Sequence, residues 1–430
     1  MKRKVSTVEL QIAERARKFK GEALHNLHHF IDARLLQESY EQLNKKSAEG
    51  IDGKTWQQYG VEFPERRESL LDEFKSGRYR APAIRRVYIP KDKHSQRPLG
   101  ILTMEDKVLQ ASVRKVVEPI YEEDFKPFSY GFRPGRSQHQ AIEFMFRQVS
   151  FQKMHYIIDA DIKNYFGSID HGILREFLDK RVNDGVVRRG IDKWLKAGVM
   201  ESGNISYPEE GTPQGAVISP ILSNIYLHYV LDEWFSEQIQ PLLKGKSFIV
   251  RFADDYILGF TDKSDAERVM EVLPKRFAKY KLTLHPEKTK LIDLNGRRGK
   301  FGRSFDFLGF THYLGKSRKG NKVLKRKTSS KRLIRAIKNI SYFIKLNRHM
   351  KLKGLIAELN VKLRGHYSYY GITFNYNGIY RCYALVQRRL FKWLNRRGGK
   401  RKWRWETFSL LINQWEPLAK PLIYHSYAST

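Results

Sequence analysis

The 430-residue sequence predicts a mixed α+β protein that ends in an all-helical, strongly basic region. Between about residues 150 and 312, short apolar runs rich in β-branched residues alternate with runs of helical spacing, which is an α+β pattern. After residue 330, apolar residues recur every three or four positions with Lys and Arg between them, which predicts amphipathic helices. Hydrophobic residues make up 41% of the chain and aromatic residues 13%, enough to build packed cores.

Helix signals are clear near the N-terminus. Ser6 and Glu9 have the spacing of a capping box, which predicts that a helix starts there. A second helix is predicted around Asp32 to Leu43. Residues 85–105 are predicted to be extended, with a turn at residues 93–95. The first half of the chain therefore contributes helices as well as strands.

Positive charge is concentrated in the last quarter of the chain. The sequence has 80 Lys+Arg and 46 Asp+Glu, a net charge of +34. Residues 313–430 hold 28 of these bases and three acids, or +25, so the first 312 residues carry only +9. Three basic helices are predicted there, with apolar runs that start near residues 333, 352 and 380, after a linker over residues 315–327. This charge predicts a nucleic-acid partner, and a solvated surface is the alternative.

Composition excludes several classes of protein. Cys382 is the single cysteine, so the chain has no internal disulfide and no Cys-based zinc site. The sequence has no stretch of about 18 apolar residues that could cross a membrane. Its first residues are charged and lead into a polar helix, unlike a secretory signal. We therefore expect a protein of the reducing cell interior that makes no membrane contact.

Two adjacent acids are the first candidate for chemistry. Asp254 and Asp255 interrupt an apolar, β-favouring run from Ser247 to Phe260, which predicts a hairpin with both carboxylates at its tip. Adjacent carboxylates between buried strands repel each other and lose hydration, so a bound cation is the simplest reason for them. Mg²⁺ prefers carboxylate oxygen and leaves positions free for phosphate. The alternative is an ordinary turn, where aspartate is common.

A second strand offers a third acid. Asp159 and Asp161 are two residues apart in the run from His155 to Phe166, so they share a face if that run is one strand. If this strand neighbours the hairpin, one of the two aspartates completes a three-carboxylate cluster. Such a cluster can hold two metal ions for nucleotidyl transfer. The residues alone do not decide between Asp159 and Asp161.

These acids belong to a series of motifs. The motifs are Arg86–Lys91 with Arg97–Ile101, Tyr130–Ser137, Asp161–Phe166, Gly211–Tyr226, Phe252–Asp255, Leu284–Thr289 and Phe307–Phe310. In this order they resemble the motifs of reverse transcriptases encoded by bacterial group II introns and their close relatives. The resemblance is to the form without the HNH endonuclease domain, whose cysteine pairs have no counterpart here. It implies an RNA-directed DNA polymerase of the bacterial cytoplasm or nucleoid.

The resemblance implies a metal-binding set. Asp161, rather than Asp159, corresponds to the metal-binding aspartate, with the Ile162 carbonyl as a further ligand. Asp254 and Asp255 correspond to the other two carboxylates, and the expected cofactor is two Mg²⁺ ions. Lys288 corresponds to the lysine that is proposed to protonate pyrophosphate in this family. The catalytic residues implied are therefore Asp161, Asp254, Asp255 and Lys288.

A nucleotide-binding set is implied in the same way. Lys91 and Arg97 correspond to the residues that hold the triphosphate, one as a point charge and one as a bidentate fork. Phe166 corresponds to the aromatic residue beside the sugar, which excludes a 2′-hydroxyl by steric clash. Gln214 corresponds to a residue near the incoming deoxynucleotide.

Two positions depart from the family pattern. Phe252 stands where the family usually has tyrosine, which removes a hydroxyl and is expected to leave polymerisation intact. Ala216 stands where a second glycine is common after P-Q-G, and we expect an effect on nucleotide fit or fidelity.

The architecture implied is a right-hand polymerase followed by a basic helical thumb. Residues 1–60 would form an N-terminal extension and residues 61–150 the fingers. Residues 151–312 would form the palm, with its antiparallel sheet and catalytic hairpin, and residues 313–430 the thumb. The run Leu363–Gly371 is similar to a conserved stretch of the intron maturase thumb, which binds structured intron RNA.

The partners implied are an RNA template, a DNA or RNA primer, dNTPs and structured group II intron RNA. Three alternatives stay open at this point. The chain could be a splicing maturase whose polymerase activity is secondary. It could be a domesticated, CRISPR-associated or defence-associated reverse transcriptase. An RNA-dependent RNA polymerase on the same scaffold is the third, and Phe166 argues against it. The sequence makes no prediction about the oligomeric state.

Overall fold

The computed structural model describes residues 6–90, 96–201, 203–207, 209–296, 303–398 and 402–427. The chain divides into two units, one of Met1–Ala141 with Ile158–Lys290 and one of Ile142–Ile157 with Leu291–Thr430. Both units contain helices and strands, and the helical region at the C-terminus is present, so the predicted α+β class is confirmed. The finer division into extension, fingers, palm and thumb stays a prediction.

Helices hold more residues of the first unit than strands do. Their bounds are α1 Thr7–Lys18, α2 Ala33–Gln42, α3 Trp56–Ser76, α4 Met104–Glu122, α5 Gln138–Phe151 (which crosses into the second unit), α6 His171–Asp179, α7 Gly185–Leu195, α8 Ser219–Leu227 and α9 Lys263–Lys279. The predicted capping box is confirmed, because the Ser6 side chain accepts from the Glu9 amide and the Glu9 carboxylate accepts from the Ser6 amide. The predicted second helix is also confirmed, with Asp32 as its N-cap.

Helix α4 lies at the centre of the first unit. Val108, Leu109, Val113, Val116 and Val117 are all fully buried. They cover several faces of the helix rather than one stripe. A helix that is apolar on most sides is stable only when other elements surround it, so α4 belongs to the core.

One sheet of this unit combines antiparallel and parallel pairing. Its strands are β1 Ile84–Pro90, β2 Gln96–Ile101, β4 Val199–Glu201 and β5 Asn204–Ser206, in the order β2-β1-β4-β5. Strands β1 and β2 pair antiparallel, with Val87 opposite Leu99. Strands β1 and β4 pair in parallel, with Ile84 opposite Val199. The predicted extended segment is therefore a hairpin, and residues 91–95, including the predicted turn, lie outside the described residues.

The hairpin with the two acids is confirmed. Strand β6 (Ser247–Phe252) pairs antiparallel with β7 (Asp255–Phe260), and Phe252 lies opposite Asp255. Strand β7 lies between β6 and β3 (Tyr156–Ala160), as predicted for the two acidic segments. Strand β3 ends before Asp161, so Asp159 and Asp161 do not lie on one regular strand.

The second unit contains a three-stranded antiparallel sheet. After β8 (Lys290–Asp293), β9 (Ser304–Phe307), β10 (Phe310–Lys316) and β11 (Lys322–Thr328) pair in the order β11-β10-β9. The predicted linker over residues 315–327 was wrong, because this segment is the hairpin of β10 and β11. Its Gly and Ser residues form the turn: the Gly320 amide donates to the Ser317 carbonyl at 3.1 Å, and Gly320 has φ +84°.

The three predicted basic helices are confirmed. They are α10 Ser330–Asn347, α11 Leu352–Tyr370 and α12 Tyr376–Leu394, followed by α13 Trp405–Leu410. Their apolar residues, such as Ile344, Leu359, Leu363, Val386 and Leu390, belong to one buried cluster. The lysines and arginines between them stay outside this core, as the spacing predicted. Among the helices that the structure describes, none has the length and apolarity needed to cross a bilayer.

A buried acid in the first unit makes stability depend on pH. Asp106 is 1% exposed, and it accepts hydrogen bonds from the Tyr79 hydroxyl and from Trp194 Nε1, the latter at 3.1 Å. Burial raises the pKa of Asp106 to about 7, and the Trp194 hydrogen bond lowers it only in part. The folded chain therefore holds a proton at pH 5 that the unfolded chain releases near pH 4.

We expect the free energy of unfolding to fall as pH rises from about 4 to 7, by up to about 4 kcal/mol from this group. Asp106→Asn should remove that slope, because the amide stays neutral at every pH. Urea unfolding of both proteins at pH 5 and pH 8 measures the difference. An identical pH dependence in the two proteins would mean that Asp106 is ionised in the folded chain.

Candidate active site

The turn that carries Asp254 is packed against a glycine of a distant motif. Ala253 and Asp254 form the two-residue turn between β6 and β7, and Ala253 has φ +60°. A Cβ added to Gly131 would lie 2.2 Å from the Ala253 nitrogen, so the backbone at Gly131 packs closely against the backbone of the turn. Asn224 Nδ2 donates to the Gly131 carbonyl at 2.8 Å. Gly131 of the Tyr130–Ser137 motif therefore leaves room for the turn that carries Asp254.

A buried ion pair fixes the same turn from the strand side. Arg251 and Asp232 are both fully buried, and Arg251 Nε donates to Asp232 Oδ1 at 2.8 Å. The Arg251 Nη1 group also donates to the Ala253 carbonyl at 3.0 Å and to Asn224 Oδ1 at 2.9 Å. Asp232 closes the π-helical turn His228–Asp232 that follows α8. One guanidinium thus connects the strand, the helix and the turn.

Asp161 is positioned by the segment that contains Lys288. The Asp161 carbonyl accepts from the His285 amide at 2.7 Å, and Ile162 forms a β-bridge with Leu284. Lys288 Nζ donates to the Asp161 carboxylate. The Asp161 side chain is 37% exposed and that of Lys288 is 55% exposed, so the pair faces solvent. The structure therefore brings together two residues that the motifs implied separately.

The pKa of Asp254 depends on its burial and on the charges of nearby residues. Burial raises the pKa of Asp254, and the negative charge of Asp161 raises it further. A hydrogen bond from the backbone lowers it, as do the positive charges of Arg97 and Arg251. A carboxylate that is desolvated beside a second carboxylate is stabilised by any cation placed between them.

Two motif loops meet beside β2. The Gly100 amide donates to the Gln214 carbonyl at 2.6 Å. Gly215 has φ +108°, and an added Cβ would lie 2.6 Å from the Gly100 carbonyl oxygen. Both the conformation and the space therefore require glycine at 215. This contact fixes Gln214, a predicted nucleotide-binding residue, next to the Arg97–Ile101 motif.

Phe166 is fixed by the loop that precedes Gln214. It lies half-buried in the short 3₁₀ turn Tyr165–Gly167, and its carbonyl accepts from the Thr212 amide at 2.7 Å. An added Cβ on Gly211, which has φ +88°, would lie 2.9 Å from the same carbonyl oxygen. The two motifs are therefore in backbone contact.

The structure describes one of the two predicted triphosphate ligands, Arg97. Arg97 is exposed on β2, and its charge acts on Asp254, as described above. Lys91 lies outside the described residues.

Ala216 is buried with Ile84, Leu102 and Ala197 in a small apolar cluster. Its methyl group thus contributes to packing at this position.

The carboxylate oxygens of the candidate site are the kind of ligand that a divalent cation prefers. Asp161 and Asp254 supply hard oxygen atoms, and their mutual repulsion and the desolvation of Asp254 are both relieved by a cation. Within the described ranges, however, no three His, Cys, Asp or Glu side chains lie close enough together to hold one ion. The Lys288 ammonium instead neutralises Asp161. The three-carboxylate site with Asp255 therefore stays a prediction.

Sequence reasoning missed the residues that support the site. Arg251 is a single charged residue inside an apolar strand, Asp232 follows an apolar run and precedes Glu233, and Asn224 is a polar residue in a buried helix. A charge in an otherwise apolar strand or helix needs a buried partner. That signal was available in the sequence, although it could not have identified which charges pair.

Known families match most of the chain. Residues 89–312 match the family "Reverse transcriptase (RNA-dependent DNA polymerase)". Residues 330–409 match the "Group II intron, maturase-specific domain". Each match covers one of the two regions that the motifs and the charge distribution separated.

Individual relatives agree with these families. Protein YkfC of Escherichia coli is 33% identical over 307 residues, which span 63% of this chain and 77% of that protein. The group II intron-encoded protein LtrA of Lactococcus lactis is 35% identical over 165 residues, 38% of this chain and 27% of LtrA. A 91 kDa protein in the cob intron of Schizosaccharomyces pombe is 39% identical over 184 residues, 43% of this chain and 22% of that protein. The chain belongs to the reverse transcriptase (RNA-dependent DNA polymerase) family, which uses divalent metal ions, and it carries the group II intron maturase-specific domain.

Proposed function

We propose that this RNA-directed DNA polymerase extends a DNA or RNA primer on an RNA template, with Asp161, Asp254 and Asp255 as its catalytic carboxylates. One observation carries the proposal: the partly buried carboxylate of Asp254 lies in the turn of the β6–β7 hairpin, where the charges of Asp161 and Arg97 act on it. Carboxylates that bind metal and a cation that binds phosphate are the parts that nucleotidyl transfer needs. The matched families support nucleic acid, including intron RNA, as the partner.

Asp161, Asp254, Asp255 and the Ile162 carbonyl would hold two Mg²⁺ ions. When bound, such ions favour ionisation of the primer 3′-hydroxyl and offset the charge that develops on the phosphates. The burial of Asp254 supports this assignment, because desolvated carboxylates bind a cation in preference to remaining unpaired.

The remaining residues would bind and orient the deoxynucleotide. Arg97 and Lys91 would hold the triphosphate, and Gln214 would contact the incoming nucleotide. Lys288 would carry a proton at Nζ for the leaving pyrophosphate, and its hydrogen bond to Asp161 supports its position at the reacting end of the site. Phe166 would exclude the 2′-hydroxyl.

Primer extension tests the proposal. Purified protein with an RNA template, an annealed DNA primer, Mg²⁺ and dNTPs should extend the primer. Asp254→Asn should lower the rate at least about 10²–10³-fold, the typical cost of removing one group that stabilises transition-state charge. Asp179→Asn changes a carboxylate that is 61% exposed and pairs with Arg188, so it should keep full activity. Equal activity in both variants would contradict the proposal.

Phe166→Ala should raise ribonucleotide incorporation relative to deoxynucleotide incorporation. The smaller side chain leaves room for a 2′-hydroxyl that the aromatic ring excludes. Single-nucleotide extension with matched dNTP and rNTP measures the ratio, and the contact of Thr212 with the Phe166 backbone carbonyl should survive the change. Wild-type protein that already accepts both nucleotides equally would favour the RNA polymerase alternative.

A second function is supported by residues 330–409. This region matches the maturase-specific domain, and its helices α10–α12 combine a buried apolar core with many exposed bases. We propose that it binds structured intron RNA and assists splicing. Asp254→Asn should leave splicing of a cognate intron RNA intact, because the carboxylate serves polymerisation only. Loss of both activities in this variant would mean that the two functions share the carboxylate site.

A further inference from the structure

A basic cavity of about 820 Å³ lies in the first unit. It is lined by the loop at residues 77–81 after α3, by residues of α7, by residues 196–198 after this helix, and by Tyr207. We call it the α7 cavity. Among the residues that the structure describes, no member of the predicted catalytic or nucleotide-binding sets contributes to its lining.

Cations far outnumber acids in the α7 cavity. Among its described residues, the lining has five bases, Arg78, Arg80, Arg189, Lys193 and Lys196, and a single acid, Asp192. The Asp192 carboxylate accepts from Arg175 Nε at 2.7 Å, and Arg78 pairs with Asp72, so partners outside the lining neutralise both. The other four bases give the cavity a surplus of positive charge.

One of the cations, Lys193, is held in place by backbone carbonyls. Lys193 Nζ donates to the carbonyls of Gly77 and Tyr79, each at 2.5 Å. Burial lowers the pKa of Lys193, and the positive charges of Arg189 and Arg80 lower it further. Cations that repel each other are stabilised by an anion bound between them.

The mouth of the cavity offers an aromatic surface. Tyr207 is 73% exposed, although tyrosine usually buries its ring. An added Cβ on Gly198 would lie 3.0 Å from the Tyr207 ring and 2.7 Å from Ile205. Glycine at 198 therefore leaves room for the side chains of Tyr207 and Ile205 to pack closely against the backbone at this position. An exposed ring beside clustered cations is the combination that single-stranded nucleic-acid sites use.

We propose that the α7 cavity binds a single-stranded segment of RNA, with its phosphates on Arg80, Arg189 and Lys196 and a base stacked on Tyr207. The volume exceeds that of a single inorganic phosphate, and the exposed ring has no use in binding an acidic peptide. The inference rests on RNA being a partner of this chain, but it does not require Asp254 to be catalytic. The site would hold a stretch of RNA other than the one at the carboxylates.

RNA binding by charge-reduced proteins tests the proposal. The triple variant R80Q/R189Q/K196Q removes three exposed cations but keeps Lys193, which bonds to the backbone. The control K263Q/K275Q/K279Q removes three exposed lysines from α9. Fluorescence anisotropy with a single-stranded RNA in EDTA, at several salt concentrations, reports binding without primer extension. Circular dichroism confirms that each variant is folded.

The cavity variant should bind RNA about tenfold or more weakly than the control variant. Its plot of log affinity against log salt should be flatter by about 2, since each phosphate contact on a single strand contributes about 0.7. Tyr207→Ala should weaken RNA binding about tenfold, with no effect on binding of polyglutamate. Equal RNA affinities of the cavity and α9 variants, or equal loss of polyglutamate binding in Tyr207→Ala, would overturn the proposal. Asp254→Asn should bind RNA like the wild type even if extension fails.

Discussion

Gly131→Ala is expected to abolish primer extension while the chain still folds. The new Cβ would lie 2.2 Å from the Ala253 nitrogen and 2.7 Å from the Phe252 carbonyl carbon, so the turn carrying Asp254 must move. Displacing a reacting group by about 1 Å can cost about 10²-fold in rate. We expect at least that loss, together with about 1–3 kcal/mol of stability from the forced shift. Single-turnover extension and urea unfolding measure the two effects.

Gly135→Ala in the same motif is the matched control. Gly135 has φ +69° but no atom within 4 Å of an added Cβ, so alanine strains the backbone without touching the turn. It should cost about 1–2 kcal/mol of stability and leave the extension rate nearly unchanged. A rate for Gly131→Ala equal to that of Gly135→Ala would show that the turn tolerates the extra methyl group.

Asp232→Ala is expected to be the most destabilising of the single substitutions proposed for the first unit. It leaves the Arg251 guanidinium fully buried without its carboxylate partner. Removing one partner of a buried ion pair typically costs about 3–5 kcal/mol, because the remaining charge stays desolvated. Equilibrium unfolding in urea should show this loss, and it should be far larger than that of Glu267→Ala, which breaks an exposed pair with Lys263.

The double variant Asp232→Ala/Arg251→Met separates stability from positioning. Replacing both charges by apolar groups should recover much of the stability that Asp232→Ala loses. The double variant also lacks the hydrogen bond from Arg251 to the Ala253 carbonyl, so extension should be impaired even though stability recovers. Full recovery of both properties would mean that Arg251 has no role in placing the turn.

The elements predicted best were those encoded by local pattern. The hairpin around Asp254 follows from apolar β-favouring residues on both sides of a polar pair, and the basic helices follow from spacing of three and four. Both signals are local, so a single sequence suffices. The resemblance implies Asp161 rather than Asp159, a choice that spacing alone left open, and this assignment stays a prediction.

The elements predicted worst depended on contacts between distant parts of the chain. Gly131 and Ala253 meet only because the first unit packs the two motifs together, and no local pattern encodes that contact. The Gly and Ser residues near Gly320 are equally typical of a linker and of a hairpin turn. They form a turn because β10 and β11 pair on either side of them. The cations of the α7 cavity come from segments far apart in sequence, so a charge count could not reveal them.

The most direct test of the central claim is to locate the metal site in the full chain. Fe²⁺ in place of Mg²⁺, with ascorbate and peroxide, produces hydroxyl radicals that cut the backbone next to the bound ion. Mass spectrometry should find cuts near Asp161, Asp254 and Lys288 in the wild type. These cuts should fall to background in Asp254→Asn, with RNA binding unchanged. Cuts at other segments, or the same cuts in Asp254→Asn, would contradict the assignment of these carboxylates as the metal-binding catalytic centre.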